Sequence, residues 1–236
     1  MIALIAAMDK ELSQLLEHLH ESKSYIIGGK QMIQGTLRNQ EVVCALSGIG
    51  KVNAAMTTTL LCHQFPIQHI LNFGVAGGIG NTQVGELVIA KEVGSFDIDL
   101  RGIDPTYPFG QMYGESLTIQ TNVPLSTVME QVCQVHQTPY RVGTVVSGDQ
   151  FVHRLETLKE IQAVLKNIVA CDMEAHAIAQ VAHAFSIPFA MIRSISDVVG
   201  KVHQDQEYSN NVVVEANRTV KDRKSTRLNS SHRIRS

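Results

Sequence analysis

The stretch "IVACDMEAHAIAQVAHAF", residues 168–185, joins a short apolar run to a second apolar segment with helical spacing. Ile168–Ala170 is typical of a buried strand, and the apolar residues that resume after Glu174 predict a helix. Asp172, Met173 and Glu174 lie at the junction. An ionised carboxylate that leaves water costs several kcal/mol unless another group pairs with it. The group that Glu174 holds therefore has to be found elsewhere in the sequence.

The same succession of strands and helices continues along most of the chain. Several strand-like runs are almost wholly apolar, as strands covered on both faces are. The predicted strands are Ile2–Ala7, Glu41–Leu46, His69–Phe73, Glu86–Val93, Ser116–Gln120, Arg141–Val146, Ile168–Ala170 and Phe189–Ile195. Helical spacing occurs at Leu12, Leu15, Leu16 and Leu19, in Val52–Cys62 and in Leu155–Leu165. Residues 24–46 predict antiparallel hairpins and residues 94–114 a long irregular loop. The expected fold class is α/β, a single domain with a mixed central β-sheet flanked by helices on both faces.

Composition excludes several classes of function. The chain has 236 residues, 44% of them hydrophobic, and a net charge of −2, which gives no electrostatic reason to expect nucleic acid or an anionic membrane as a partner. The opening "MIALIAAM" lacks a basic leader and is too short to span a bilayer. The four cysteines are scattered without a CxxC pair, which argues against a metal site and favours a reducing cytoplasm.

The last fifteen residues differ from the rest. "DRKSTRLNSSHRIRS" (222–236) carries five Lys or Arg against one Asp and has no apolar periodicity. A disordered basic tail would have this composition, but the string also resembles the translation of a sequencing adapter. We therefore expect one domain over residues 1–221, with its last helix cut short, and a non-native tail over 222–236.

Unusual residues follow one predicted strand after another. Ligands of open α/β sheets bind beyond the carboxyl ends of the strands, so these residues are expected on one rim. They are Glu11, "SGIGK" (47–51), "GVAGGIG" (74–80), "SGDQF" (147–151), Glu174 and Asp197.

Three of these motifs partly resemble well-known functional sites but lack residues that those sites require. "GVAGGIG" lacks the GxGxxG spacing of a dinucleotide site, and "SGIGK" lacks the first Gly and the final Ser or Thr of a P-loop. Ser147, Asp149 and His153 lie too close together for a hydrolytic triad and have no G-x-S-x-G elbow.

Single acids are equally open to a structural interpretation. Glu11 alone would be explained as a first-turn helix acid, and Asp197 alone as an N-cap. The expected convergence of Glu11, Glu174, Arg193 and Asp197 on one rim favours a functional site instead.

Six motifs together resemble a known family. They occur in the order and spacing of purine nucleoside phosphorylase-type proteins, and over about residues 1–215 they are most similar to the 5′-methylthioadenosine/S-adenosylhomocysteine nucleosidases. The motifs are "AAMDKE", "SGIGKVNAA", "NFGVAGG", "VSGDQF", "DMEAHA" and "RSISD". The resemblance implies hydrolysis of the N-glycosidic bond of either nucleoside to adenine and a 5′-thio-substituted ribose. It also implies a cytoplasmic homodimer that uses water and no cofactor or metal.

The resemblance assigns roles to individual residues. Asp197 would be the general acid for the purine, and Glu11 would orient or activate the water. Glu174 and Met173 would hold the ribose, Phe151 would stack on adenine, the Val152 backbone would read the base edge, Arg193 would brace Glu174, and Ile49 would line the pocket for the 5′ substituent. Ala76, Gly77 and Ser196 complete the expected substrate-binding set.

The residue types suit this chemistry. A carboxyl group can protonate the departing purine only if burial keeps its pKa raised. A second carboxylate serves the water from the opposite side of the sugar, as in inverting glycosidases, and a third accepts the ribose hydroxyls. The loop Asn72–Val75 lacks anion-binding side chains and Glu11 would repel phosphate, so water is the expected nucleophile.

Four departures from the family pattern leave alternatives open. They are Val75 in place of a frequent Ser, Asp172 in place of a more usual Glu, an altered loop near Ile103, and the segment "VVGKVHQDQEYSNN" after Asp197. A relative with another preference (5′-deoxyadenosine, aminodeoxyfutalosine or a phosphorolytic substrate) is one alternative. A noncatalytic nucleoside-binding module is the other, although binding alone needs neither Glu11 nor Asp197.

Overall fold

The computed structural model describes residues 1–221, and side chains as far as Ala216. The strands are β1 (Ile2–Ala6), β2 (His20–Ile27), β3 (Lys30–Leu37), β4 (Gln40–Leu46), β5 (His69–Gly78), β6 (Leu87–Ser95), β7 (Thr118–Gln120), β8 (Tyr140–Ser147), β9 (Ile168–Asp172) and β10 (Phe189–Val198). The helices are α1 (Asp9–Leu16), α2 (Lys51–Gln64), α3 (Val123–Val135), α4 (Lys159–Val164), α5 (Ala175–Ala184) and α6 (Gln204–Lys221). The proposed tail, residues 222–236, lies outside the described residues.

The strands form one mixed sheet that closes on itself at one end. β1 lies parallel between β4 and β5, and the hairpins β2–β3–β4 extend the sheet as predicted. β5 also pairs with β10, which pairs with β6. β6 continues to β8 and β9, and β9 returns to the end of β5. Five strands therefore make a closed ring, which brings several carboxyl ends close together.

Helices cover both faces of the sheet, as the apolar pattern predicts. Leu61 of α2 and Ile178 of α5 are buried in the core on one face. Leu12 of α1 and Met129 of α3 are buried in the core on the other. Among residues 1–221, no helix combines the length and apolarity needed to cross a bilayer.

Some boundaries differ from those predicted. α3 was not predicted, although the Asn122 side chain caps its first turn and Pro124 follows at once. β10 continues to Val198 through a register shift between Ile195 and Asp197. Asp197 therefore lies inside a strand, and its alternative interpretation as an N-cap is wrong. The longer strand forms because β5 offers matching backbone through its glycines as far as Gly78.

A fully buried arginine joins three strands of the ring. Arg193 of β10 donates from Nη2 to Asp172 Oδ2 of β9 at 2.6 Å and to Asn72 Oδ1 of β5 at 2.9 Å. Glu174 Oε2 lies farther away, 3.7 Å from the same nitrogen. Arg193 thus lies within salt-bridge distance of Glu174, and that it braces Glu174 stays a prediction, while its shorter ion pair is with Asp172 at the end of β9.

Replacing Asp172 by alanine should lower the free energy of unfolding by about 3–5 kcal/mol, because the buried Arg193 would lose its nearest counter-charge. Asp99→Ala is the matched control, since Asp99 pairs with Arg101 at 2.8 Å on the surface. Urea unfolding measures both variants. The midpoint should fall clearly for Asp172→Ala and stay near the wild-type value for the control, and equal midpoints would contradict the structural role of the buried pair.

Candidate active site

A cavity of about 90 Å³ lies at the carboxyl ends of β1, β4, β5, β8, β9 and β10. The predicted residues that line it are Glu11, Ile49, Ala76, Gly77, Phe151, Val152, Met173, Glu174, Ser196 and Asp197. Arg193 does not line it but lies fully buried, within 3.7 Å of Glu174. The fold therefore brings the predicted site residues to one rim of the sheet.

Glu11 is held by three backbone N–H groups. Its Oε2 accepts from Ala7 and Met8, and its Oε1 accepts from Val75, each at 2.9 Å. Burial raises the pKa of Glu11 above its ordinary value, while Arg193 and the three N–H groups oppose that rise. The result is a fixed carboxylate with increased affinity for a proton.

Gly74 makes room for this carboxylate. Its φ is +145°, and a Cβ at this position would lie 2.2 Å from Glu11 Oε1 and 2.6 Å from Arg193 Nη1. Any side chain here would displace both charged groups. Arg193 Nη1 is buried and has no hydrogen-bond partner among the described residues, so a donor remains available beside Glu11.

Glu174 precedes the first residue of α5 and points its carboxylate into the cavity. Its Oε1 accepts from the Gly50 backbone N–H at 2.9 Å, and Arg193 lies near its Oε2. Burial and the charge of Asp172 raise the pKa of Glu174, whereas Arg193 lowers it. The Gly50 N–H and Arg193 thus offset part of the free-energy cost of burying the Glu174 carboxylate.

Asp197 is almost completely buried. Ser196 Oγ donates to its Oδ1 at 2.6 Å, and Gln204 Nε2 donates to its Oδ2 at 2.7 Å. Burial raises the pKa of Asp197, the two hydrogen bonds lower it, and the charge of Glu207 adds to the rise. A carboxyl group in this environment retains a proton to higher pH than a surface aspartate.

Two aromatic rings narrow the mouth of the cavity. Phe151 and Tyr208 meet edge to face with ring centroids 5.3 Å apart, and the Tyr208 hydroxyl lies 3.7 Å from Met8 Sδ. The cavity is smaller than the roughly 300–1,000 Å³ of typical ligand pockets. Phe151 remains 46% exposed at this mouth.

An ion pair fixes the neighbouring loops. Lys51 Nζ lies 2.5 Å from Asp97 Oδ1, and Asp97 Oδ2 accepts from the Asp149 backbone N–H at 2.9 Å. Asp149 in turn accepts from the Lys51 backbone N–H at 2.7 Å. Loops 47–51 and 147–151 are therefore held against each other beside the cavity.

The predicted set omits several residues of the cavity wall, among them Ala7, Met8, Val75 and Gln150 as well as residues of β9 and α6. Tyr208 and Cys171 line the cavity, and Gln204 bonds to Asp197 behind it. Gln204, Tyr208 and Val212 follow at helical spacing, a signal that was available in the sequence. The rejected triad is not assembled, since Ser147 Oγ donates to Asp172.

A larger cavity, about 950 Å³, lies elsewhere between α1, the β2–β4 hairpins and the face of β1. It contains Glu21 but no group of buried carboxylates like that of the smaller cavity. The smaller cavity, with its buried carboxyl groups, is therefore the candidate active site.

The chain is similar to known proteins over most of its length. The family model of the Phosphorylase superfamily matches residues 1–228. The 5′-methylthioadenosine/S-adenosylhomocysteine nucleosidase of Lysinibacillus sphaericus is 38% identical over 85% of this chain and 87% of that protein. The nucleosidase of Bacillus velezensis with the same name is 35% identical over the same shares.

Solved structures extend the likeness. The Neisseria meningitidis nucleosidase in complex with methylthio-immucillin-A has a TM-score of 0.88 and 32% identity, and the match covers 94% of this chain and 95% of that one. The futalosine hydrolase of Helicobacter pylori has a TM-score of 0.87 and 28% identity, with 94% and 95% covered. The chain belongs to the phosphorylase superfamily and, within it, to the family of 5′-methylthioadenosine/S-adenosylhomocysteine nucleosidases.

Proposed function

We propose that this protein hydrolyses the N-glycosidic bond of 5′-methylthioadenosine and S-adenosylhomocysteine, releasing adenine and the 5′-thio-substituted ribose. The observation that carries the proposal is the convergence of three buried carboxyl groups, Glu11, Glu174 and Asp197, on one small cavity. The names of the relatives point to the same substrates.

Asp197 is the general acid. Cleavage places negative charge on the departing purine, and a proton on its N7 relieves that charge. Burial raises the pKa of Asp197, so the protonated form persists at higher pH than for a surface carboxyl. Activity should accordingly be lost as the pH rises through the pKa of Asp197, because the acid is then ionised.

Glu11 orients and activates the water. It has to be ionised to accept a proton, and its three N–H donors favour that form. The unpartnered Nη1 of Arg193 beside it supplies a donor for the water oxygen. A raised pKa makes Glu11 a stronger base than a surface glutamate once it is ionised.

The remaining predicted residues bind the substrate. Glu174 accepts the ribose hydroxyls, and Met173 packs beside the sugar. Phe151 stacks on adenine, the Val152 backbone reads the base edge, and Ile49 lines the pocket for the 5′ group. Ala76, Gly77 and Ser196 form the wall of the cavity next to Asp197.

Water is favoured over phosphate on electrostatic grounds. Four carboxyl groups line the cavity, those of Glu11, Asp172, Glu174 and Asp197, and Arg193 is already paired with Asp172. The Val75 N–H, a donor in the glycine loop, is used by Glu11. A phosphate anion would meet net repulsion here.

A homodimer in the cytoplasm is the proposed working form. Ile49, Val52 and Met56 expose apolar surface at the start of α2, and Ile26 exposes more on the β2–β3 hairpin. Apolar residues grouped in this way are typical of protein interfaces. Ile103 of the long loop, which is 84% exposed, would then lie near the partner's site.

Adenine should be released from 5′-methylthioadenosine equally well with and without phosphate, because the carboxyl groups that line the cavity repel a phosphate anion. The assay measures free adenine and identifies the sugar product, with 5′-deoxyadenosine and aminodeoxyfutalosine as parallel substrates. A strict phosphate requirement with a sugar 1-phosphate product would overturn hydrolysis. A clear preference for either parallel substrate would redirect the substrate assignment.

Glu11→Gln should reduce kcat by roughly 10²-fold or more and change nucleoside affinity little, because the amide keeps the shape but cannot accept the proton from water. Single-turnover kinetics and equilibrium binding separate the two effects. Wild-type kcat in this variant would mean that Glu11 serves only the start of α1.

Asp197→Asn should lower kcat by roughly 10²–10⁴-fold, since an amide cannot deliver a proton to the purine. The loss should shrink with a substrate whose leaving group departs without protonation. Rates for the natural nucleoside and for an activated aryl riboside make the comparison. Equal losses with both would show that Asp197 positions the base rather than protonating it.

A further inference from the structure

We propose that Gln204 is a positioning residue for the acid step: its amide fixes Asp197 Oδ2 as a hydrogen-bond acceptor, directs the acid proton to Oδ1, and ties the carboxyl group to the Val152 carbonyl. The inference rests on the proposed function and deepens it. It concerns the segment after Asp197, where the sequence departs from the family pattern.

The orientation of the Gln204 amide follows from its partners. The Gly200 backbone N–H donates to Gln204 Oε1 at 3.0 Å, and a backbone N–H can only donate. The amide nitrogen must therefore face the other way. There it lies 2.7 Å from Asp197 Oδ2 and 2.8 Å from the Val152 carbonyl oxygen, so both of its hydrogens are used.

The consequence for Asp197 is chemical. Because Gln204 Nε2 only donates, Oδ2 is favoured as the unprotonated oxygen in both forms of the acid. The proton of the neutral acid then resides on Oδ1. Ser196 Oγ, 2.6 Å from Oδ1, is a hydroxyl and can donate to the carboxylate or accept from the acid. The pair Gln204 and Ser196 thus gives the carboxyl group one favoured proton position.

The same amide connects the acid to the base-binding loop. Val152 lines the cavity and Gln204 does not, while the Gln204 side chain is buried behind both acceptors. Gln204 therefore acts through Asp197 and Val152 rather than by touching substrate. Two groups proposed to contact one purine are held at a fixed separation by a single side chain.

The groups that face Asp197 determine the sign of the pH effect. Glu207 raises the pKa of Asp197, and the Gln204 hydrogen bond lowers it. The Tyr208 hydroxyl and the Cys171 thiol also face Asp197, and burial raises the pKa of each, so both are neutral in a physiological assay range. Removing the amide donor should raise the pKa of Asp197, so the basic limb of the kcat profile should move to higher pH.

The principal test is Gln204→Met, with Gln206→Met as the matched control because Gln206 is exposed two residues farther along α6. For 5′-methylthioadenosine we expect kcat to fall about 10–100-fold in Gln204→Met, as the loss of a hydrogen bond to a charged group implies. The KM should change less than about threefold, and the basic limb should move to higher pH. The control should match the wild type.

A second variant and a second substrate separate a loss of the acid step from misfolding. Gln204→Glu keeps the shape but places a carboxyl oxygen against Asp197 Oδ2 and the Val152 carbonyl, so kcat should fall and the basic limb should again move upward. With 4-nitrophenyl 5-methylthioriboside, whose leaving group needs no proton, both Gln204 variants should approach the wild-type rate.

Three outcomes decide the matter. A wild-type kcat and basic limb in both Gln204 variants would overturn the inference. Equal losses with the nucleoside and the aryl riboside would also overturn it, because a structural role at the start of α6 damages both reactions alike. A wild-type protein that releases no adenine would overturn the proposed function and this inference with it, whereas the first two results leave the function standing.

Discussion

The buried positive charge of Arg193 is the constraint on which the site depends. A guanidinium taken out of water has to be paired, and Asp172 of β9 and Asn72 of β5 supply its partners. The remaining Nη1 is left beside Glu11, and Glu174 lies at salt-bridge distance. This one cation links strands of the ring. It also allows several carboxylates to lie around one cavity, where they would otherwise repel one another.

Unequal surroundings give these carboxylates different chemistry. Glu11 accepts hydrogen bonds only from backbone N–H groups, and these bonds favour the ionised form that a base needs. Asp197 is paired instead with a hydroxyl and an amide, and burial raises its pKa. In the proposed reaction the same functional group, a carboxyl, then acts as base on one side of the sugar and as acid on the other.

The helix α6 provides site contacts from a segment in which this chain departs from the family pattern. It begins with Gln204 behind Asp197 and continues to Tyr208 over the mouth of the cavity. Its sequence matches the family pattern poorly, yet its helical spacing still presents one face to the sheet. Comparison of motifs therefore indicated the family but not these contacts, because motif matching is least informative where a chain has diverged.

The sequence by itself determined the α/β class, most of the strands, the family and the rim on which Glu11, Glu174 and Asp197 lie, because apolar periodicity and strand order are local properties. Only the tertiary structure decided which partner each buried charge takes. Arg193 lies near both Asp172 and Glu174, and the choice between them depends on differences of about an ångström across separate strands. Such distances arise from closure of the sheet ring and the position of α6, which no local pattern encodes.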